Sequence, residues 1–274
     1  MFRKFTYYNT TVLLPPYTTD FVASILANEG VTLSAPIVAA LAQFETALTA
    51  AGLINYASHS TNIVKILYPM VGGLASTHKY NFLDPRNLDA AYRVTWAGGI
   101  THDANGITGN GVNGIGETHF IPNVLPQNDM HNGVYIRVGS NQSSFYDMGA
   151  ADASRYCGFV ASFSINYYSS LNDDEYNFGA LGLGATGFFL NRRISSTTVK
   201  LNYNGPVVAT GTKSSSGLVN TSVAICGLNY LGSPVNFSNR NYPLFTWGLN
   251  MSDVQAASYY TAIQALQTAF ARQV

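Results

Sequence analysis

The run GFFLNRRISSTTVKLNYNGPVVATGT, residues 187–212, places three short β-type segments one after another with only turn residues between them. Its last two segments are joined by Asn204-Gly205-Pro206, residue types that favour a tight hairpin turn. Further runs of this kind recur from about residue 73 to residue 248, without a helical crossover long enough to join parallel strands. They are AYRVTWA, GVYIRVG, YCGFVASFSINYY, SVAICGLNYL and YPLFTWGL. The sequence therefore predicts an antiparallel β-sandwich over residues 73–250.

Residues 1–18 are predicted to form an extended arm ahead of this sandwich. The adjacent prolines Pro15 and Pro16, with interleaved Thr and Asn residues, disfavour a helix there. The pair Tyr7 and Tyr8 adds an aromatic character that suits docking into a neighbouring subunit. We therefore interpret the arm as an assembly element.

Residues 19–72 carry helical patterns. Asp20 is expected to cap a first helix that stops at Gly30, and Ser34 precedes a longer helix whose apolar stripe ends before Gly52. The run TNIVKILYPMVGG, residues 61–73, fits either a helix or a buried strand. This segment is therefore predicted to be helical, with its final part left open.

The C-terminal residues 251–274 are predicted to form a helix that packs on the sandwich or on the N-terminal helices. Ser252 and Gln255 have the spacing of a capping box. Apolar residues then recur on one helical face as far as Arg272. These residues are Val254, Ala257, Ile263, Leu266 and Phe270.

Composition limits the classes of partner. Charged residues make up only 10% of the chain, and 14 basic residues balance 14 acidic ones. This balance gives no basic surface for nucleic acid, and a charge-poor surface favours a homo-oligomer or a larger assembly. Without an apolar run of roughly 18 residues or a signal-peptide pattern, neither membrane insertion nor secretion is expected. Cys157 and Cys226 sit in apolar runs and are expected to be buried free thiols.

The run GGITHDANGITGNGVNGIGETHF, residues 98–120, resembles an active-site loop in composition. However, its histidines lack the spacing of metal ligands, and no helix follows its glycines to complete a phosphate-binding loop. Asp103 and Asn105 resemble a calcium loop in miniature, but a turn is the favoured interpretation. We expect no metal site and no cofactor, and we interpret the run as a turn that joins early strands.

The run LNDDEYN, residues 171–177, groups three acidic residues, and the favoured interpretation is a solvated turn. The functional alternative is a sugar-contacting or cation-binding loop, in which tyrosine rings lie beside carboxylates and amides. Its candidate residues are Tyr167, Tyr168, Asp173, Asp174 and Tyr176. Because no nucleophile with a local base is visible and the acids lack a facing partner, no catalytic residue is assigned and the chain is not expected to be an enzyme.

Residues 66–123 carry a series of short motifs, and the C-terminal run LNMSDVQAASYYTAIQALQTAFARQV follows the sandwich. The motifs are Tyr68-Pro69 with Val71-Gly72-Gly73, Thr77-His78-Lys79 with Asn81, Asp84-Pro85-Arg86 with Asp89-Ala90-Ala91, Gly98-Gly99 with Thr101-His102, and Asn113-Gly114. With them the chain resembles the concanavalin A-like, LamG-type jelly-roll virion proteins of bacteriophages that infect Bacteroidota, including crAss-like phages. The resemblance covers approximately residues 20–274.

This resemblance implies a structural or adhesive virion component, either a head-surface fibre or decoration subunit or a tail fibre protein. Its location would be the particle surface, its partners other capsid or tail subunits, and its ligand a host surface glycan. A glycan-degrading enzyme, either a glycoside hydrolase or a lyase, on the same sandwich is the alternative. The resemblance brings no catalytic residues with it.

Overall fold

The computed structural model describes residues 13–140, 145–161 and 166–274, together with the backbone of residues 162 and 163. The helices are α1 (Pro16–Glu29), α2 (Ala35–Ala50), α3 (Ala75–His78) and α4 (Asp253–Ala269). Short 3-10 helices span Tyr56–Thr61, Asp89–Ala91 and Pro122–Val124. In the described part of the chain, no helix has the length and apolar character needed to cross a membrane.

The arm predicted for residues 1–18 is wrong at its C-terminal end, where helix α1 has already begun. The helix begins at Pro16, because proline is tolerated in the first helical turn, and Pro15 stands at the N-cap without a side-chain cap. Asp20 lies inside the helix and does not cap it. Instead, the buried carboxylate of Glu45 in α2 accepts the backbone N–H groups of residues 17 and 18, at 2.9 and 2.7 Å. Tyr7 and Tyr8 lie outside the described residues, so the docking role of the arm stays a prediction.

This cross-helix cap gives a stability prediction. Glu45→Ala should lower the free energy of unfolding by about 1–2 kcal/mol, because two backbone donors of the first turn lose their acceptor. Asp20→Ala is the matched control and should cost clearly less, since the Asp20 carboxylate accepts a hydrogen bond from the exposed Tyr56 hydroxyl and not from the first helical turn. Urea unfolding followed by circular dichroism measures both variants. A larger loss of stability in Asp20→Ala than in Glu45→Ala would instead support Asp20 as the cap, as predicted from the sequence.

The C-terminal end of α1 and the start of α2 lie where the sequence predicts them. Helix α1 stops before Gly30, which adopts the left-handed conformation with φ 67°, and α2 follows Ser34 with proline in its first turn. In the buried face of α2, Leu41, Phe44 and Leu48 pack into one cluster with the apolar residues of α1 and α4. The predicted α2 stripe is therefore confirmed.

The described residues form eighteen strands, several of them only two or three residues long. They are β1 (Val64–Tyr68), β2 (Thr95–Ala97), β3 (Thr101–Asp103), β4 (Gly106–Thr108), β5 (Ile115–Glu117), β6 (Met130–Ile136), β7 (Met148–Asp152), β8 (Arg155–Phe163), β9 (Asn166–Asp173), β10 (Tyr176–Ala180), β11 (Gly187–Arg193), β12 (Thr198–Tyr203), β13 (Val207–Thr212), β14 (Ala224–Ile225), β15 (Leu228–Tyr230), β16 (Ser233–Val235), β17 (Asn241–Tyr242) and β18 (Leu244–Gly248). Residues 61–73, whose sequence fitted either a helix or a buried strand, contain strand β1.

These strands pair in two large sheets and one small one. The six-stranded sheet has the order β1-β18-β6-β11-β12-β13, and all its pairs are antiparallel. The nine-stranded sheet has the order β10-β9-β8-β7-β14-β5-β2, with β15 and β16 branching from β7. Strands β17, β4 and β3 form the third sheet. The predicted hairpin at Asn204-Gly205-Pro206 is confirmed between β12 and β13, with left-handed φ values of 50° and 105° at its first two residues.

The two large sheets enclose the main core of a mainly β, jelly-roll-type sandwich. Phe189 of β11 and Phe245 of β18 point from the six-stranded sheet towards Phe159 and Leu171 of the nine-stranded sheet. The opposite face of the six-stranded sheet packs against α1, α2 and α4. Since helices cover one sheet, the outer face of the nine-stranded sheet is the large β-surface that they leave open. Both cysteines are free and buried, as predicted.

The C-terminal helix confirms the capping box and corrects the stripe. Ser252 and Gln255 exchange hydrogen bonds between side chain and backbone at 3.0 and 3.2 Å. Val254 is 77% exposed, whereas Tyr259 and Ile263 are buried against α2 and the six-stranded sheet. The helix ends at Ala269, beyond which the buried Arg272 guanidinium donates to backbone carbonyls of loops around residues 69, 70, 104 and 243. This side chain ties the C-terminus to three separate loops.

Candidate functional site

The glycine-rich run of residues 98–120 was predicted to be a turn that joins early strands, but it contains the short strands β3, β4 and β5 with tight turns between them. Strands β3 and β4 form a hairpin in which Asp103 Oδ1 accepts the Asn105 N–H at 2.7 Å. Asn110 Oδ1 accepts three consecutive backbone N–H groups, from residues 112, 113 and 114, at 2.9–3.0 Å. A Cβ at Gly98 would lie 2.0 Å from the Asn113 carbonyl oxygen, so this crossing requires glycine. The Asp103 and Asn110 side chains therefore hold the backbone of the run itself.

Two histidines that are distant in sequence meet behind this hairpin. His78 Nδ1 lies 3.1 Å from His102 Nδ1, and His78 Nε2 accepts the Gly73 N–H at 3.2 Å. His78 must therefore carry its proton on Nδ1 and donate it to His102. Burial lowers the pKa of both imidazoles, that of His78 to about 3. Both rings are neutral near pH 7, and their mutual hydrogen bond is structural.

The predicted sugar-contacting residues are not brought together on one surface. Tyr167 faces the sandwich core, where its ring stacks near Phe189 and its hydroxyl donates to the Leu183 carbonyl oxygen at 2.5 Å. Asp173 is fully buried in an ion pair with Arg193 at 2.5 Å. Both residues are therefore corrected to core residues. Adjacent strand residues point to opposite faces, and the inward-facing residues of this pair of strands are packed inside.

The other three candidates remain on the surface but in different places. Asp174, at the turn after β9, forms an exposed ion pair with Lys213. Tyr176 packs edge-on against Phe178 and over Gly211, where the edges of the two large sheets meet. Tyr168 instead lies on the outer face of the nine-stranded sheet, where it packs against a separate apolar cluster. Of the five predicted residues, Tyr168 is the one that lies on a surface beside further tyrosine rings.

We call this area the tyrosine surface and define it as Tyr146, Tyr156, Tyr168 and Tyr230. The rings of Tyr146 and Tyr156 are stacked with centroids 6.4 Å apart and planes 12° from parallel. Tyr146 is only 8% exposed and belongs to a small buried cluster with Phe145, Ala151, Val160 and Leu228, and the partly buried rings of Tyr156, Tyr168 and Tyr230 pack against this cluster. The four tyrosines come from β8, β9, β15 and the segment before β7, and the sheet places them side by side.

Two glycines make room for the central ring. A Cβ at either Gly149 or Gly158, which are neighbours on β7 and β8, would lie 3.2 Å from Tyr146 Cδ1. The ring of Tyr146 therefore lies directly on the backbone of two strands. Glycine inside a strand marks such a close approach, and DMGAAD and RYCGFV both contain one. These two strand glycines were the sequence signal that could have predicted the tyrosine surface, but the sequence interpretation did not use them.

Polar groups stand beside these rings. The Tyr146 hydroxyl donates to Glu175 Oε1 at 2.6 Å, and Asn177 Nδ2 donates to the Tyr168 hydroxyl at 3.3 Å. Burial and the Glu175 carboxylate raise the pKa of Tyr146, so its hydroxyl stays protonated and donates. The tyrosine surface thus combines flat apolar faces with one carboxylate and one carboxamide. This combination can pack against a ligand that is apolar on one face and hydroxylated at its rim.

Within the residues that the structure describes, no three His, Cys, Asp or Glu side chains are grouped in a way that could hold a metal ion. The carboxylate at the tyrosine surface is that of Glu175, whereas the neighbouring Asp173 carboxylate is enclosed with Arg193. Hydrolysis of a glycosidic bond uses two carboxyl groups about 5–10 Å apart on either side of the bond.

Neither a family model nor a curated protein matches this chain. Solved structures share its fold. A mutant Trypanosoma rangeli sialidase displaying trans-sialidase activity matches at a TM-score of 0.54 and 8% identity, over 84% of this chain and 39% of that one. The T. rangeli sialidase in complex with sialic acid matches at 0.51 and 10%, over 72% and 32%. The botulinum neurotoxin serotype D binding domain matches at 0.50 and 7%, over 72% and 51%. The chain spans about a third to a half of these structures, and they show the fold alone.

Proposed function

We propose that this chain is a glycan-binding protein and that the tyrosine surface is its binding site. The observation that carries the proposal is the set of three partly buried rings, Tyr156, Tyr168 and Tyr230, that pack over the buried Tyr146 on the outer face of the nine-stranded sheet. A pyranose ring has an apolar C–H face, which packs on an aromatic ring, and a rim of hydroxyls. Glu175 and Asn177 are placed to meet those hydroxyls at two points beside the rings.

The setting that we propose is a phage virion, with the chain as a structural and adhesive subunit of a head or tail fibre or of the head surface. The support is the resemblance of residues 66–123 and of the C-terminal helix to such virion proteins. The low content of charged residues, 10%, suits a chain whose surface is partly covered by neighbouring subunits. In this role the helix-covered side of the sandwich is free for assembly contacts, while the tyrosine surface faces the host glycan.

We further propose binding without turnover. The Glu175 carboxylate beside the rings can accept a hydroxyl hydrogen bond, and the neighbouring Asp173 carboxylate is enclosed with Arg193 and does not face it as the second acid of a glycosidase would. The sialidase in complex with sialic acid has a similar fold, and with 10% identity it supports the architecture only. The proposal therefore depends on the tyrosine surface itself.

A glycan array with the purified chain tests the proposal. The wild type should bind a restricted set of glycans, and Tyr156→Ala with Tyr168→Ala should weaken binding at least about tenfold, because two stacking rings are lost. Tyr260→Ala on α4 is the matched control, since this partly buried tyrosine lies on the helix-covered side against Gly205. Biolayer interferometry with the best array ligand gives the dissociation constants.

Three outcomes would contradict the proposal. Binding to no glycan, or equal loss in the Tyr260 control, would exclude the tyrosine surface as a glycan site. Release of new reducing ends from a bound glycan would identify a hydrolase instead. For the virion setting, antibody labelling of purified phage particles should place the chain on the particle surface, and its absence from particles would refute that part.

A further inference from the structure

A second concave feature lies away from the tyrosine surface, between the helix layer and one end of the sandwich. It consists of two adjoining cavities of about 330 and 300 Å³, which share His59, Leu83 and Asp84 in their walls. We call them together the end cleft. The larger cavity is also lined by Lys65 and Tyr92. Its size is within the range of roughly 300–1,000 Å³ that is typical of small-molecule sites.

Lys65 is the basic side chain in the wall of the larger cavity, whereas Asp84 lines both cavities and Asp20 and Arg86 line the smaller one. Its ammonium donates to the Ser60 carbonyl oxygen at 2.8 Å, which leaves two further donors. Among the described residues it has no carboxylate partner, whereas cations such as Lys79 and Arg93 are ion-paired. Its side chain is partly buried, and burial lowers its pKa. An anion bound in the cleft would relieve this cost.

Two further polar groups in the end cleft are held in place but unused. The Tyr92 hydroxyl and the ring nitrogens of His59 have no hydrogen-bond partner among the described residues. The Tyr92 ring packs edge-on against Phe120 at 5.3 Å, and its backbone is in the left-handed region with φ 61°, which is uncommon for a bulky residue. The His59 ring packs against Tyr17 at 5.2 Å. The half-buried Tyr92 is therefore fixed in its orientation in the cavity wall, whereas His59 is an exposed residue of the same wall.

The remaining wall is suited to a hydroxylated ring. Leu83, Phe120 and Leu125 form an apolar side in the larger cavity. Asp84 is held by Arg86 through two hydrogen bonds of 2.7 and 2.6 Å, so its negative charge is compensated while its oxygens can still accept a hydroxyl hydrogen bond. A bare inorganic anion would leave the apolar wall and Asp84 unused, and a neutral sugar would leave Lys65 unpaired.

We infer that the end cleft binds a carboxylated sugar unit, such as a uronic acid residue. Lys65 would pair with the carboxylate, Tyr92 and His59 would hydrogen-bond the ring substituents, and Leu83 and Leu125 would cover one face of the ring. No residue is shared with the tyrosine surface, so this inference goes beyond the proposed function and stands without it. It assigns the chain a second, charge-selective glycan contact.

Isothermal titration calorimetry of the full chain with methyl glucuronide and methyl glucoside tests this inference, because the two ligands differ only in the carboxylate. The glucuronide should bind at least tenfold more tightly, and Lys65→Met should remove this preference. Lys200→Met, on the far strand β12, is the control and should retain it. The Tyr156→Ala, Tyr168→Ala chain should also retain it, which separates failure here from failure of the tyrosine surface.

Equal affinity for the two ligands, no binding of either, or an unchanged preference in Lys65→Met would overturn the inference. Acetate or inorganic phosphate that binds as tightly as the glucuronide would reduce the cleft to an anion site and would also overturn it. If Lys65→Met lowers the thermal stability by more than a few degrees, Tyr92→Phe replaces it. That variant removes only a hydroxyl, and it should weaken glucuronide binding several-fold; unchanged binding would count against the inference.

Discussion

The free energy of unfolding is expected to fall steeply between pH 7 and pH 4.5, because two buried histidines must stay uncharged in the folded chain. Burial lowers the pKa of His131 to about 4 and that of His78 to about 3. In the unfolded chain both have a pKa of about 6.5. In that interval the unfolded chain binds more protons than the folded one, so stability is lost as the pH falls. At pH 4.5 the two histidines should together cost about 5 kcal/mol.

The His131→Asn variant isolates one of these contributions. The His131 Nδ1 group donates to the Leu249 carbonyl oxygen at 2.5 Å, and an asparagine amide can replace this donor without titrating. Urea unfolding at both pH values should show that the variant loses about 2–3 kcal/mol less than the wild type on acidification. Burial raises the pKa of Asp147 and Asp173, so their protonation favours the folded chain as the pH falls. This contribution is the same in the wild type and in His131→Asn, so it cancels in the comparison. Parallel pH dependence in the two chains would refute the prediction.

A comparable loss is expected from breaking the buried ion pair between Asp147 and Arg240. Both side chains are fully buried, with Arg240 Nη1 at 3.2 Å from each Asp147 carboxylate oxygen. Asp147 also accepts from the Tyr242 hydroxyl at 2.6 Å and from the Ala161 N–H at 2.7 Å. Asp147→Asn should lower the free energy of unfolding by about 3–5 kcal/mol, because it removes the negative charge that faces the buried guanidinium.

A double-mutant cycle distinguishes the ion pair from general core damage. Arg240→Met alone should also be strongly destabilising, since it leaves the Asp147 carboxylate uncompensated. The Asp147→Asn, Arg240→Met chain buries no charge at this position, so its loss should be smaller than the sum of the single losses by about 2 kcal/mol. Chemical unfolding of the four chains measures this coupling. Additive losses would show that the charges do not interact across this contact.

Local patterns in the sequence predicted those elements whose physical cause lies within a few residues. The hairpin at Asn204-Gly205-Pro206, the capping box at Ser252 and the end of α1 at Gly30 each depend on neighbouring backbone groups alone. The Asp20 cap failed for the complementary reason. The backbone N–H groups of a first helical turn can donate to any acceptor in the right position, and the Glu45 carboxylate reaches them from the next helix.

The candidate site was predicted only in part. Tyr168 was identified, but Tyr167 and Asp173 were assigned to the same surface although they point into the core. Which face of a strand is buried depends on what the other sheet and the helices cover. Tyr146, Tyr156 and Tyr230 were missed because the sheet brings them next to Tyr168 from separate strands.

The sequence by itself determined that this chain is an antiparallel sandwich with helices before and after it, since periodicity, turn chemistry and capping are local properties. The tertiary structure decided which polar groups are buried and which are left at the surface. Glu45, Asp147 and Arg272 have partners 27 to more than 200 residues away. Their burial, the tyrosine surface and the end cleft depend on how sheets and helices pack, because a side chain's environment is set by distant segments that no local pattern records.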